Sequence, residues 1–217
     1  MKKYSLAIIV MMLISLMTKA SNEAYEKAML KELQNMKTAV SPEDLKKVAN
    51  GFARIAQTMP EEWLPEYYAA LALANAGFRS EGGANVKDPL FDQAKKHVDK
   101  AVKISSNNSE IVALQGFITM GELAVDPGSR GQHLSGLAMQ TFGKAVELNR
   151  QNPRAIMMLG QMELGMAQFF GQGPEKGCGL INASLELFEK EADTKEDGTF
   201  LPTWGKEMAL QIKQNCQ

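Results

Sequence analysis

The feature that most constrains this chain is an internal echo at an offset of 44 residues. Tyr68-Ala69-Ala70-Leu71-Ala72 returns as Val112-Ala113-Leu114-Gln115-Gly116, and again as Ile156-Met157-Met158-Leu159-Gly160. Five residues beyond each closing small residue stands a glycine: Gly77, Gly121 and Gly165. Between these segments, Ala94, Val98 and Lys100-Ala101-Val102 answer Ala138, Phe142 and Lys144-Ala145-Val146, while Leu90 answers Leu134. One offset kept through both halves of each unit is a repeat. A period in this range means a supersecondary unit that cannot bury its apolar face alone and must stack on its neighbours.

Each unit reads as two helices. The first spaces its apolar residues by three and four, as in Tyr68, Leu71 and Phe78, or Val112, Phe117, Met120 and Leu123. The second puts Ala94, Val98, Ala101 and Val102 on one stripe, with Lys95, Lys96, Asp99 and Lys100 outside. Residues rich in Gly, Pro, Asn and Asp mark connections at Arg79 to Pro89, Asp126 to Gln132 and Phe170 to Pro174, where the extra length of the unit is expected to lie. Ser41-Pro42-Glu43 and Asp88-Pro89 read as helix starts. Asn22 to Ala39 and Glu43 to Thr58 form a divergent first pair. Glu175 to Glu191 is a further second helix, and Thr203 to Asn215 a lone final helix. The expectation is an all-α chain of about nine helices with no sheet, a single domain over 21–217.

The first residues are an address. Met1-Lys2-Lys3 is basic, Ser5 to Met17 is nearly continuously apolar, and Thr18-Lys19-Ala20 precedes Ser21. That order reads as a secretory signal peptide over 1–20, cleaved near Ala20; an uncleaved anchor is the alternative. The apolar run falls short of the ~20 residues a span requires. Export places the chain in a periplasm or outside the cell. Without Lys2, Lys3 and Lys19, the 24 basic residues fall to 21 against 25 acidic ones, so the mature chain is mildly acidic. No electrostatic footprint for nucleic acid is expected, nor stable membrane insertion of the mature chain. With two Cys, two His and no CxxC or HExxH, no metal site, cofactor or catalytic constellation is legible.

At the repeated residues the chain resembles the tetratricopeptide repeat family, whose unit of about 34 residues carries aromatic, Leu-Gly and aromatic, then Ala, aromatic and Ala. Ile156 with Leu159-Gly160, Tyr68 with Leu71-Ala72, and Val112 with Gln115-Gly116 match the first half. Ala138, Phe142, Ala145 and Ala94, Val98, Ala101 match the second. Thr119 and Glu163 depart from it at the second aromatic, and the closing Pro is absent. Three units span 62–190. With Glu61-Glu62-Trp63-Leu64-Pro65 and Leu201-Pro202-Thr203-Trp204-Gly205-Lys206, the layout is similar to small exported bacterial members.

Stacked pairs imply a right-handed helical-hairpin solenoid, its last pair covered by a capping helix over 203–216. The family lines its concave face with the first helices. By alignment that places Glu66, Ala69, Leu73 and Ala76 there, then Glu110, Ala113, Phe117 and Met120, then Arg154, Met157, Gln161 and Leu164. The family's Asn clamp for carboxylate termini is missing, since Ala70, Leu114 and Met158 stand in its place. The resemblance implies a non-catalytic scaffold or adaptor that binds a protein or extended peptide on this face; the alternative is a carrier of a small apolar ligand or lipid. The groove is also open to being filled by the final helix or by tight superhelical packing.

Cys178 opens one long helix and Cys216 nearly closes the chain. If the final helix folds back antiparallel the two meet, and an oxidising compartment allows a disulfide; two free thiols are the alternative. Arg79, Glu81, Lys87, Asp88 and Arg130 on the connections read as a minor binding edge or as plain turn chemistry. His97 and His133 read as structural or solvated. Met157, Met158, Met162 and Met166 read as core, and Trp63, Tyr67, Tyr68 and Trp204 as packing anchors.

Overall fold

Capping side chains set where the helices begin. In this computed structural model, which describes residues 22–194 and 199–216, Ser41 Oγ accepts from the Asp44 N–H at 3.1 Å. Asn108 Oδ1 accepts from Glu110 N at 3.0 Å, and Asn152 Oδ1 from Ala155 N at 3.1 Å. The two asparagines are equivalent in the repeat, so the echo extends to the caps. The signal peptide expected over 1–20 and its cleavage at Ala20 lie outside the described residues.

The described residues form nine helices and no strand. They are α1 (22–38), α2 (Pro42–Thr58), α3 (Trp63–Arg79), α4 (Ala84–Ile104), α5 (Ser109–Val125), α6 (Pro127–Leu148), α7 (Pro153–Phe170), α8 (Glu175–Thr194) and α9 (Lys206–Lys213), with a 3-10 turn at Gln214–Cys216. From α2 to α9 each helix packs on the next in sequence, and α3, α5 and α7 also touch in that order. The fold is an all-α helical-hairpin solenoid with α9 beside α8.

The glycines of the repeat explain how its layers close. A Cβ on Gly77 would stand 2.7 Å from the Phe91 ring, and one on Gly121 would also collide with that ring. Phe91 is thus clamped between α3 and α5 at positions where no larger residue fits. Gly116 meets Phe142 in the same way. Ala94, Val98, Ala101, Ala138, Phe142 and Ala145 are buried, as the stripes require.

Three expectations are corrected. Most of Arg79 to Pro89 and of Asp126 to Gln132 is helix. The connections are only 80–83 and Asp126, so the additional residues of each unit lengthen α4 and α6 at their starts. The two helix starts are joined by Arg130, whose guanidinium donates to both carboxylate oxygens of Asp88 at 2.7 Å and to the Glu122 carbonyl at 3.0 Å. Asp88-Pro89 is accordingly no helix start; Pro89 lies inside α4. The last helix is shorter than Thr203 to Asn215: 199–205 is not helical, and Gly205, at φ 111°, stands immediately before Lys206.

Candidate functional site

The aligned concave-face residues come together on α3, α5 and α7. Leu73, Phe117 and Met157 are almost wholly buried, as are Glu66 and Arg154; Glu110, Met120 and Gln161 keep partial exposure. What covers much of this face is the chain itself. The extended stretch 199–205 crosses it, with the Trp204 ring 5.5 Å from Phe117 and Phe200 packed edge-on to Tyr25 at 5.8 Å. Tyr68 Oη donates to the Phe200 carbonyl at 2.8 Å, and Trp204 Nε1 donates to Tyr67 Oη at 2.8 Å. Pro202 is buried.

Arg154 is the electrostatic centre of this contact. Only 2% exposed, it donates to Glu110 through Nε at 2.7 Å and Nη2 at 2.9 Å. Both Nη groups also reach Glu191, and Nη1 donates to the Trp204 carbonyl at 3.2 Å. The guanidinium lies 5.8 Å from the Phe188 ring centre. One cation thus fastens α5, α7, α8 and the extended stretch. Burial pushes the Glu110 carboxyl above its ordinary range despite Arg154, and pushes the Tyr67 and Tyr68 phenols upward too.

Glu66, equivalent to Glu110 in the repeat, bonds to His97 Nδ1 and lies 3.3 Å from Lys100 Nζ. Burial alone raises its carboxyl, yet His97 and Lys100 overcome this and hold it below the usual range. Spacing in the sequence gave no sign of this pair, since 31 residues separate its members. His133 is exposed. Among the described residues no three His, Cys, Asp or Glu side chains are grouped to hold a metal.

Cys178 and Cys216 form a disulfide with Cα atoms 5.7 Å apart, tying the end of the chain to the start of α8. Arg79 donates to the Ala39 carbonyl at 2.9 Å, and Asp88 and Arg130 bond to each other, so these rim groups hold the fold together. Beyond 199–205 the face keeps a half-open apolar strip: Met120 and Leu123 on α5, beside Phe78, whose ring stands 4.7 Å from Phe117. Gln161, on α7, has a buried Oε1 without a hydrogen-bond partner among the described residues. Sequence reasoning missed the extended stretch because it carries no helical or strand period; its one signal was two large aromatics flanking a Pro.

No protein-family model matches this chain, and no curated protein matches it. Among solved structures it is similar to the HusA haemophore from Porphyromonas gingivalis, with 25% identity and a TM-score of 0.75 over 90% of this chain and 92% of that one. The MamA RS-1 ArsTM double mutant aligns at 14% identity and a TM-score of 0.45, over 83% of this chain and 97% of that one.

Proposed function

We propose that the protein is an exported, non-catalytic carrier of a flat apolar ligand of the haem and porphyrin class, held against the concave face. The observation that carries this reading is the likeness to a haemophore along nearly the whole length of both chains. Three features of the chain agree with it. The helical array supplies a preformed apolar face, and the disulfide suits an oxidising compartment. No described helix is long and apolar enough to cross a membrane.

The stretch 199–205 already takes the space an extended peptide would need across Phe117 and Met157. That favours a compact ligand on the half-open remainder over a peptide along the groove. Met120, Leu123 and Phe78 would contact the ring faces, and Gln161 would meet a polar edge. Glu66, Leu73, Glu110, Arg154 and Met157 shape the face from beneath.

The test is an equilibrium titration with haemin and with metal-free protoporphyrin, followed by quenching of Trp63 and Trp204. Saturable binding near one ligand per chain is expected, weakened at least tenfold by Met120→Glu in a variant that keeps its helical content. Absence of saturable binding for both compounds would overturn the carrier reading.

A further inference from the structure

Phe117, at the edge of the half-open strip, has two ring neighbours in near-parallel contact. Phe78 of α3 stands 4.7 Å away at an interplanar angle of 32°, and Trp204 of the extended stretch 5.5 Å away at 38°. Tyr25 with Phe200, Trp63 with Tyr67 and Tyr67 with Tyr68 meet edge-on instead, between 84° and 89°. Trp204 thus gives Phe117, from within the chain, the ring contact that a flat aromatic ligand would make. Phe78 belongs to a helix packed into the array, whereas Trp204 lies outside every helix.

The polar anchors of the stretch are shared with the body, so its departure strands no buried charge. Arg154 donates to the Trp204 carbonyl at 3.2 Å, and it keeps Glu110 and Glu191 once that carbonyl is gone. Tyr67 accepts from Trp204 Nε1 at 2.8 Å and also bonds to the Glu110 carboxylate. Tyr68 Oη donates to the Phe200 carbonyl, and both groups return to water on release. What then holds the stretch down is apolar contact, through Phe200, Trp204 and the buried Pro202. A flat apolar ligand competes with it in kind.

The helix that follows makes few non-covalent ties. In α9 only Ala209 is buried, with Met208 and Ile212 half-buried against the core. Its ion pair between Lys206 and Glu189, at 2.9 Å, is solvent-exposed and therefore weak. The disulfide of Cys178 with Cys216 adds a covalent tie at the end of α9 away from the stretch. With the bond intact, 199–216 is fastened to α8 at both of its ends, and the stretch has no room to swing clear of the face. With the bond broken, the segment is attached at its N-terminal side alone. Both cysteines keep partial exposure, within reach of a small dithiol.

We propose that 199–205 is an autoinhibitory strap: its Trp204 ring holds part of the face that a flat ligand takes, and the Cys178–Cys216 disulfide latches it there until a dithiol reduces the bond. One thiolate of the dithiol displaces a cysteine sulfur and its second thiol displaces the other. Two protons and two electrons thereby pass to Cys178 and Cys216, and the dithiol becomes a disulfide. The proposal rests on the carrier reading and extends it to control of the same face. The test compares the full chain, oxidised and after dithiothreitol, with metal-free protoporphyrin as the probe, followed by porphyrin fluorescence. Hydrogen exchange at the Trp204 indole, protected by Tyr67 in the oxidised chain, should speed up on reduction, and protoporphyrin uptake should become at least tenfold faster. Trp204→Ala should give the same gain with the disulfide intact, and the double variant Cys178→Ser, Cys216→Ser should match the reduced chain. Unchanged indole protection, equal uptake in both redox states, or slower uptake by Trp204→Ala would each overturn the strap. An indole freed by reduction, with no protoporphyrin bound in either state, overturns the carrier reading and the inhibitory role with it.

Discussion

Arg154 is nearly inaccessible, and two carboxylates, a backbone carbonyl and an aromatic face meet its charge. Removing it strands Glu110 in a buried setting, so Arg154→Ala should cost about 3–5 kcal/mol, read from urea midpoints. Lysine cannot reproduce the fork and should recover only part of this. The carboxylates differ in their response to pH. Glu66 is held low, so its stabilising contribution is full above the ordinary glutamate value of 4.5 and is lost as pH falls through the lowered value. Glu110 is raised by burial, so its contribution is full below the ordinary value and is lost as pH rises through the raised one. Denaturant midpoints across the acid range should therefore converge for wild type and Glu66→Gln as pH drops; a constant gap would contradict the assignment. Glycines offer a paired test. Gly121→Ala drives a methyl into Phe91 and should destabilise by about 1–3 kcal/mol. Gly165→Ala, with nothing within 4 Å of the added carbon, should stabilise by roughly 0.5–1 kcal/mol in thermal melts.

Among the elements, α9 depends most on its surroundings. Its eight residues are too few to hold a helix alone. The disulfide closes a separation of 38 residues and contributes roughly 3–4 kcal/mol by chain entropy. Cys216→Ser should lower the melting temperature accordingly and speed hydrogen exchange first in α9; exchange that rises uniformly would count against a cap. Helix identities were legible because stripes such as Ala94, Val98 and Ala101 keep one register. The starts of α4 and α6 were not, because Gly82, Gly83, Gly128 and Gly131 read locally as turn residues. There Asp126 caps α6 by accepting from the Ser129 N–H, and Arg130 pairs with Asp88, 42 residues away, across the two helix starts.

For the whole molecule, the 44-residue echo disclosed the stacking of units, and antiparallel closure brought the two cysteines together. The covering of the concave face by 199–205 was out of reach, since Tyr68 and Tyr67 find Phe200 and Trp204 across 132 and 137 residues. Such contacts leave no period in the sequence. They also leave the concave face partly closed and apolar. The measurement that bears most directly on the central claim is the absorbance spectrum and mass of the protein purified from porphyrin-producing cells, before any ligand is added. A carrier should arrive with a tetrapyrrole band near one equivalent per chain, lost in Met120→Glu. A folded protein that emerges colourless and then fails to take up either haemin or protoporphyrin would contradict the account.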